Sequence, residues 1–270
     1  MYINTASKQE ISISICDVLN IDKDELNGLL ESCYSTFQMH RSIFILDDQY
    51  DYFIKYVKEH LSISIDEILF IHLSRRVKND YDNNGYNLVD VLTKDTSLSK
   101  FMNKYGLTFK FNRHIKMYKG NQEINLNDNN YIYNYLKSRF GYIINDYSIK
   151  GYVFDDRLIH NENYEIAQGG PEFFGYLYPF IDDDFIDDYI ENSKFYKFKY
   201  LVPIENICFE NYEQLNNIEK QYHIVVKALQ RLYAYKYETI NFDDNNPTIS
   251  IKNNQTLKSR YLINKIEIKE

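Results

Sequence analysis

The chain reads as an α+β protein: an N-terminal helical part followed by a mixed, largely antiparallel sheet domain with flanking helices. Three observations predict this. Apolar residues recur at helical spacing through residues 8–60. Short alternating or apolar runs, bounded by glycine and polar turns, dominate residues 63–154. A long amphipathic stretch over residues 215–237 then precedes alternating segments near the end.

Ile11, Ile15, Val18 and Leu19 fall on one face of a first helix. Asp22, with Glu25 three residues on, predicts the capping box of a second over residues 22–33. Asp47 or Asp48 is expected to cap a third, striped by Tyr52, Phe53, Tyr56, Val57 and His60. The apolar run from Ile65 to Leu73 predicts a buried strand. Residues 87–92 and 98–105 predict short helices, the second closed by Gly106. Residues 107–111 alternate as a strand, and 115–124 read as a hairpin about Lys119-Gly120-Asn121-Gln122. A helix is expected over 131–139. A strand is expected over 147–154, interrupted by Gly151, where another group comes close. Gly169-Gly170-Pro171 predicts a helix start with Glu172 near its positive end. Residues 182–190 form an acidic loop or helix. Strands are expected over 196–202 and 206–209, flanking Pro203. In the long helix, Ile218, Tyr222, Val225, Val226, Leu229 and Leu232 share a stripe. Residues 248–251 and 261–268 read as a terminal hairpin turning at Asn253-Asn254-Gln255. The division expected is a helical part over 1–62 and an α+β domain over 63–270, with a core at 65–210 and a helix and hairpin at 211–270.

Composition narrows the function. Of 270 residues, 44% are hydrophobic and 16% aromatic, with 27 Tyr, 17 Phe and no Trp, enough for a sizeable core. The net charge of −8 disfavours nucleic acid as a partner, since a phosphate backbone calls for clustered Lys and Arg. From Asp155 to Glu191 there are eleven acids and one base, Arg157, so the negative charge is concentrated there. Three dispersed cysteines, Cys16, Cys33 and Cys208, lack CxxC spacing and read as core residues. No basic start with an apolar run opens the chain, and no run nears the ~20 apolar residues of a spanning helix. A cytoplasmic protein without a membrane partner is the expectation. No nucleophile elbow, phosphate-binding glycine loop or dinucleotide fingerprint is present.

The stretch that holds chemistry is His72-Leu73-Ser74-Arg75-Arg76. In a strand, His72 and Ser74 point to one face. An imidazole beside a hydroxyl can hold vicinal sugar hydroxyls, and Arg75 or Arg76 can grip a pyrophosphate in bidentate fashion. His40, His60, His114, His160 and His223 lack metal spacing and read as surface or core residues; Arg157 and His160, after the Gly151 strand, could reach a cleft. Asp182, Asp183 and Asp184 with Asp187 and Asp188 lack a calcium-loop spacing and read as a solvated face.

A strand with His72-x-Ser74, followed by a helix and a later glutamate, resembles the ADP-ribosyltransferase superfamily of the His-Tyr-Glu type, over roughly residues 65–210. The resemblance implies NAD as a substrate, no metal, and an unknown macromolecular acceptor modified by a toxin-like or defence-related effector. His72 and Ser74 would hold the nicotinamide ribose, Arg75 or Arg139 the phosphates, and Tyr152 would stack on nicotinamide, with Tyr147 the other tyrosine placed in order. Glu172 or Glu205 would be the catalytic carboxylate, stabilising charge that develops on the ribose. Glu205 lies beside a strand, as in that family; Glu172 lies at a helix start. The competing expectation is a non-catalytic interaction protein, an inhibitor or immunity factor, whose acidic strip at 182–191 meets a basic surface.

Overall fold

The structure, a computed structural model, describes all residues except 39–44, 128–129, 182–183, 238–245, 253–254 and 270. It is an α+β fold. Contacts divide it into two compact units that interleave along the sequence. One comprises Met1–Ile71, Gly151–Asn161 and Tyr200–Ile249; the other comprises His72–Lys150, Glu162–Lys199 and Ser250–Glu270.

In the first unit, helices α1 (Lys8–Leu19), α2 (Lys23–Gln38) and α3 (Ile45–His60) pack with α9 (Asn217–Tyr237). The predicted face of α1 is buried at Ile11, Ile15, Val18 and Leu19. The capping box of α2 forms: Asp22 accepts from the Asp24 and Glu25 amides, and Glu25 accepts from the Asp22 amide. Asp47 and Asp48 lie within the first turn of α3, which starts at Ile45, so neither is its cap. Helix α9 is buried over more than one stripe. Ile218 is exposed, whereas His223, Gln230 and Arg231 are buried. Arg231 Nε donates to Asp156 Oδ2 at 3.0 Å, its Nη2 to the Asp156 carbonyl at 2.6 Å, and Tyr235 donates to the same carboxylate at 2.5 Å. Such a buried pair persists only when further hydrogen bonds offset the desolvation of both charges.

In the second unit, Asn87 caps α4 (Leu88–Thr93), and Thr96 with Ser99 forms a capping box on α5 (Ser97–Lys104). Gly106, at φ +73°, follows as anticipated, in a left-handed conformation that costs glycine nothing. A three-stranded antiparallel sheet follows: β2 (Leu107–Asn112), β3 (His114–Lys119) and β4 (Gln122–Glu123). Its apolar side joins α6 (Tyr131–Arg139) and α8 (Phe185–Glu191) in a core that includes Phe101, Met117, Leu136, Phe140, Phe174 and Phe185. Helix α7 (Glu162–Gln168) was not anticipated from the sequence. Glu172 opens a 3-10 turn, Glu172–Tyr176, rather than an α-helix.

The larger sheet has six strands: β1 (Glu67–Val77), β5 (Lys150–Tyr152), β6 (Ser193–Pro203), β7 (Ile207–Phe209), β8 (Thr248–Ile251) and β9 (Leu262–Ile268). Their order is β7-β8-β5-β1-β6-β9. Strand β8 therefore lies between β7 and β5 while β9 lies beside β6, so the expected terminal hairpin does not form; part of its proposed turn, 253–254, lies outside the described residues. Strand β1 starts two residues after Ile65 and continues past Leu73 through both arginines. The strand expected over 147–154 is reduced to three residues around Gly151.

Gly151 shows why. Strand β5 pairs with β1 in the register Ile71↔Tyr152, antiparallel. A Cβ at Gly151 would sit 2.5 Å from Phe70 Cε1 and 2.6 Å from the Ile71 carbonyl oxygen. The close approach read from the sequence is thus a contact with the buried middle of β1. Because one of the two atoms is backbone, Gly151→Ala is expected to lower stability by about 2–3 kcal/mol. Urea unfolding checks this; an unchanged midpoint would contradict it.

Candidate anion-binding cleft at the end of strand β1

Burial along β1 alternates from Ile71 to Arg75: Ile71, Leu73 and Arg75 are buried, His72 and Ser74 half-buried. His72 and Ser74 therefore share a face, as expected from strand periodicity, and Arg76 follows them in the same parity. Arg75 points the other way. Its Nε donates to Ser193 Oγ at 2.8 Å, Nη1 to the Gln168 carbonyl at 2.7 Å and Nη2 to the Ile190 carbonyl at 3.2 Å. This guanidinium, which the sequence reading assigned to ligand phosphates, ties β1, α7, α8 and β6 together.

Arg76 is different. It is 8% exposed, and its Nη2 donates to the Asn84 carbonyl at 2.9 Å. Its Nε is buried and has no hydrogen-bond partner among the described residues. The guanidinium lies 5.1 Å from the centre of the Phe198 ring. Lys265 of β9 approaches the same ring at 5.2 Å and Tyr196 at 4.4 Å. Two cations, one from each strand flanking β6, thus lie against the aromatic residues of β6. Burial, and next the Arg76 charge, hold the Lys265 amine below its ordinary range.

His72 belongs to this cationic neighbourhood. Its Nδ1 lies 2.9 Å from the Lys150 carbonyl, and its ring is 6.5 Å from Phe198. Burial foremost, and then Arg76, push the imidazole down to about 4, against the Lys150 carbonyl, which favours the protonated ring. The charge acting on His72 is thus a cation, not an acid. The hydroxyl of Ser74 donates to the Arg75 carbonyl at 3.2 Å.

Arg76 opens onto a cleft of about 320 Å³, also lined by Lys78, Asp80, Asp82, Tyr86, Ser97 and Lys100, among others. Its carboxylates already have donors. Asp80 accepts from the Asp82 amide and from Ser97 Oγ, at 2.9 and 2.5 Å. Asp82 accepts from Asn84 through one oxygen and from Tyr86 through the other, at 2.6 Å for the tyrosine. Burial opposes ionisation of Asp82, but the Tyr86 and Asn84 hydrogen bonds and the Arg76 charge hold its carboxyl below the usual range. Lys100 pairs with exposed Asp95 at 3.1 Å. What is left over at the buried wall of the cleft is donor capacity on Arg76, which suits an acceptor-rich anion.

The remaining expected site residues are distributed. Arg139 and Glu172 come together around Tyr135, whose ring stacks on Tyr176 at 3.5 Å. Burial raises the Tyr135 hydroxyl, Glu172 raises it further and Arg139 opposes; the hydroxyl is buried without a hydrogen-bond partner among the described residues. Neither Arg139 nor Glu172 lines the Arg76 cleft. Tyr147 is buried in the core of the same unit, its hydroxyl 3.3 Å from the Phe140 carbonyl. Tyr152, opposite Ile71, and exposed Glu205, in the 3-10 turn Ile204–Asn206, belong to the first unit. His160 is exposed in the turn Leu158–His160, and His40 lies outside the described residues. Of the acidic strip, Asp182 and Asp183 lie outside the described residues; Asp184, Asp187 and Glu191 are exposed, while Asp188 accepts from Tyr105 at 2.7 Å. The three cysteines are free thiols, and burial raises Cys33 to about 12. Among the described residues, no group of acids, histidines and cysteines is arranged to hold a metal ion, and no helix is long and apolar enough to cross a membrane.

Sequence reading overlooked Lys265, Asp82 and Tyr86, and gave the phosphates to Arg75 or Arg139 while leaving Arg76 out. Parity along the strand could have separated Arg75 from Arg76. No local signal marks Lys265. No family model, curated protein or solved structure matches this chain.

The His72 shift has a consequence for stability. With a folded value near 4, below the ordinary 6.5, the folded state binds fewer protons than the unfolded chain between those limits. Its contribution is complete above pH ~6.5 and is lost as pH falls toward 4. Between pH 7 and pH 5 the loss is at most about 2 kcal/mol. His72→Gln should flatten that part of the pH dependence of the urea midpoint; an identical profile would remove His72 as its source.

Proposed function

We propose that the chain binds a small phosphate-bearing ligand in the cleft at the end of β1, with Arg76 as the principal phosphate-holding residue. The observation that carries this reading is a guanidinium over nine-tenths buried, lining a cleft, with an unpartnered Nε. A buried donor left unpaired costs about 1–3 kcal/mol, more when charged, and a ligand oxygen would recover it. Lys78 adds a second cation at the wall.

The ligand class is narrowed by size. At about 320 Å³ the cleft lies at the small end of ligand pockets, which run from about 300 to 1,000 Å³. A phosphomonoester or mononucleotide suits it better than a whole dinucleotide. Within this reading, NAD would engage by one phosphate-bearing half. Asp82, Tyr86 and Ser97 offer polar groups for sugar hydroxyls. The proposal is one of binding: Glu172 and Glu205, the carboxylates that the ADP-ribosyltransferase resemblance implies, are not among the residues lining the cleft.

Calorimetric titration with AMP, NAD and inorganic phosphate tests it. AMP should bind, more weakly as salt rises, and Arg76→Met should weaken it at least about tenfold, the equivalent of a charged hydrogen bond. Arg75→Met should instead lower the melting temperature, because it leaves two carbonyls and Ser193 without their donor. If none of the three ligands binds, or Arg76→Met binds AMP as well as the parent chain, the reading fails.

A further inference from the structure

A second site stands in the other unit, on α9. His223 and Lys227, one helical turn apart, line a cavity of about 210 Å³ together with Phe209, Tyr212, Asn246 and Thr248. His223 is 1% exposed. Its ring sits 4.7 Å from Phe209 and 4.5 Å from Tyr212, and its Nδ1 lies 2.9 Å from the Tyr50 hydroxyl. Its Nε2 has no hydrogen-bond partner among the described residues. Lys227 is half-buried, its ammonium 5.7 Å from the centre of the Tyr50 ring. Among the described residues, it makes no ion pair or hydrogen bond.

Glu210 lines the same cavity, but among the described residues no carboxylate is in contact with the amine, so little stabilises its charged form. We propose that Lys227 is a reactive amine that condenses with a small aldehyde or 2-oxo acid in this cavity. Burial lowers the Lys227 amine from its ordinary range, opposed by the more distant Asp47 charge, and burial with the Lys227 charge pushes His223 down to about 3. The imidazole is therefore neutral. With Tyr50 donating to Nδ1, Nε2 carries the proton and can donate to the carbonyl oxygen. The unprotonated amine attacks the carbonyl carbon; nitrogen loses a proton and the oxygen gains one, giving a carbinolamine. Loss of that hydroxyl as water leaves the C=N bond of an imine, with no oxidant or reductant consumed. The titratable groups around the amine are His223 on its own helix, Tyr50 and Asp47 on α3, and Tyr212 and Glu210, which line the same cavity.

This assignment is independent of the Arg76 cleft. The test treats the whole folded chain with glyoxylate and sodium cyanoborohydride at pH 7 and maps modification lysine by lysine. The exposed lysines serve as internal controls. Lys227 should be trapped faster than every exposed lysine, since an amine lowered from its ordinary range holds more unprotonated form at pH 7. That advantage should vanish in urea, and pyruvate should compete for it. The His223→Phe variant, judged folded by its unchanged near-UV spectrum, should retain less of it. Trapping of Lys227 at the rate of exposed lysines or slower, or an advantage that survives unfolding, would overturn the assignment.

Discussion

Strand β1 takes two adjacent guanidiniums into the interior of a protein, and much of the second unit is arranged around that constraint. A buried cation is tolerated only when its donors are met or its field is shared. Arg75 meets the condition with neutral acceptors: a hydroxyl and two carbonyls from α7, α8 and β6. Those elements are consequently fixed relative to β1, although none is its sequence neighbour. Arg76 meets the condition only in part. The Phe198 face and the Asn84 carbonyl take up some of its charge, the Asp82 carboxylate balances it electrostatically, and Nε is left over among the described residues.

The same logic separates the two units chemically. In the first, the buried arginine of α9 has a full partner in Asp156, with Tyr235 closing the network. That guanidinium is spent on structure. A turn earlier on the same helix, Lys227 makes no ion pair or hydrogen bond among the described residues. Each unit therefore contains one cation consumed by folding and one whose bonding capacity is left over beside a cavity. Spare capacity of this kind costs stability and is recovered when a ligand supplies the missing acceptor or electrophile.

Much of the fold was legible from local pattern. The capping box at Asp22, the left-handed Gly106 and the crowded Gly151 follow from backbone rules that operate within a few residues. The longer-range pairings were not. Alternation in residues 248–251 and 261–268 is compatible with a hairpin, but β8 and β9 pair with other strands, because alternation specifies which face is apolar and not which edge is free. The reading of Glu172 as a helix start met a 3-10 turn instead, where its carboxylate acts on Tyr135.

For the candidate sites, sequence by itself determined that an imidazole, a hydroxyl and a guanidinium at residues 72, 74 and 76 would share one face, since side chains two apart in a strand must do so. It also determined that His223 and Lys227 would lie on adjacent turns of a helix. Only tertiary structure decided that Arg75 would be met by a hydroxyl and two carbonyls while Arg76, among the described residues, kept an unpartnered nitrogen, and that Asp156 would pair with Arg231 while Lys227 paired with no described acid. Those outcomes depend on which acceptors distant segments deliver, and hydrogen-bond partners far apart in the chain leave no trace in local spacing.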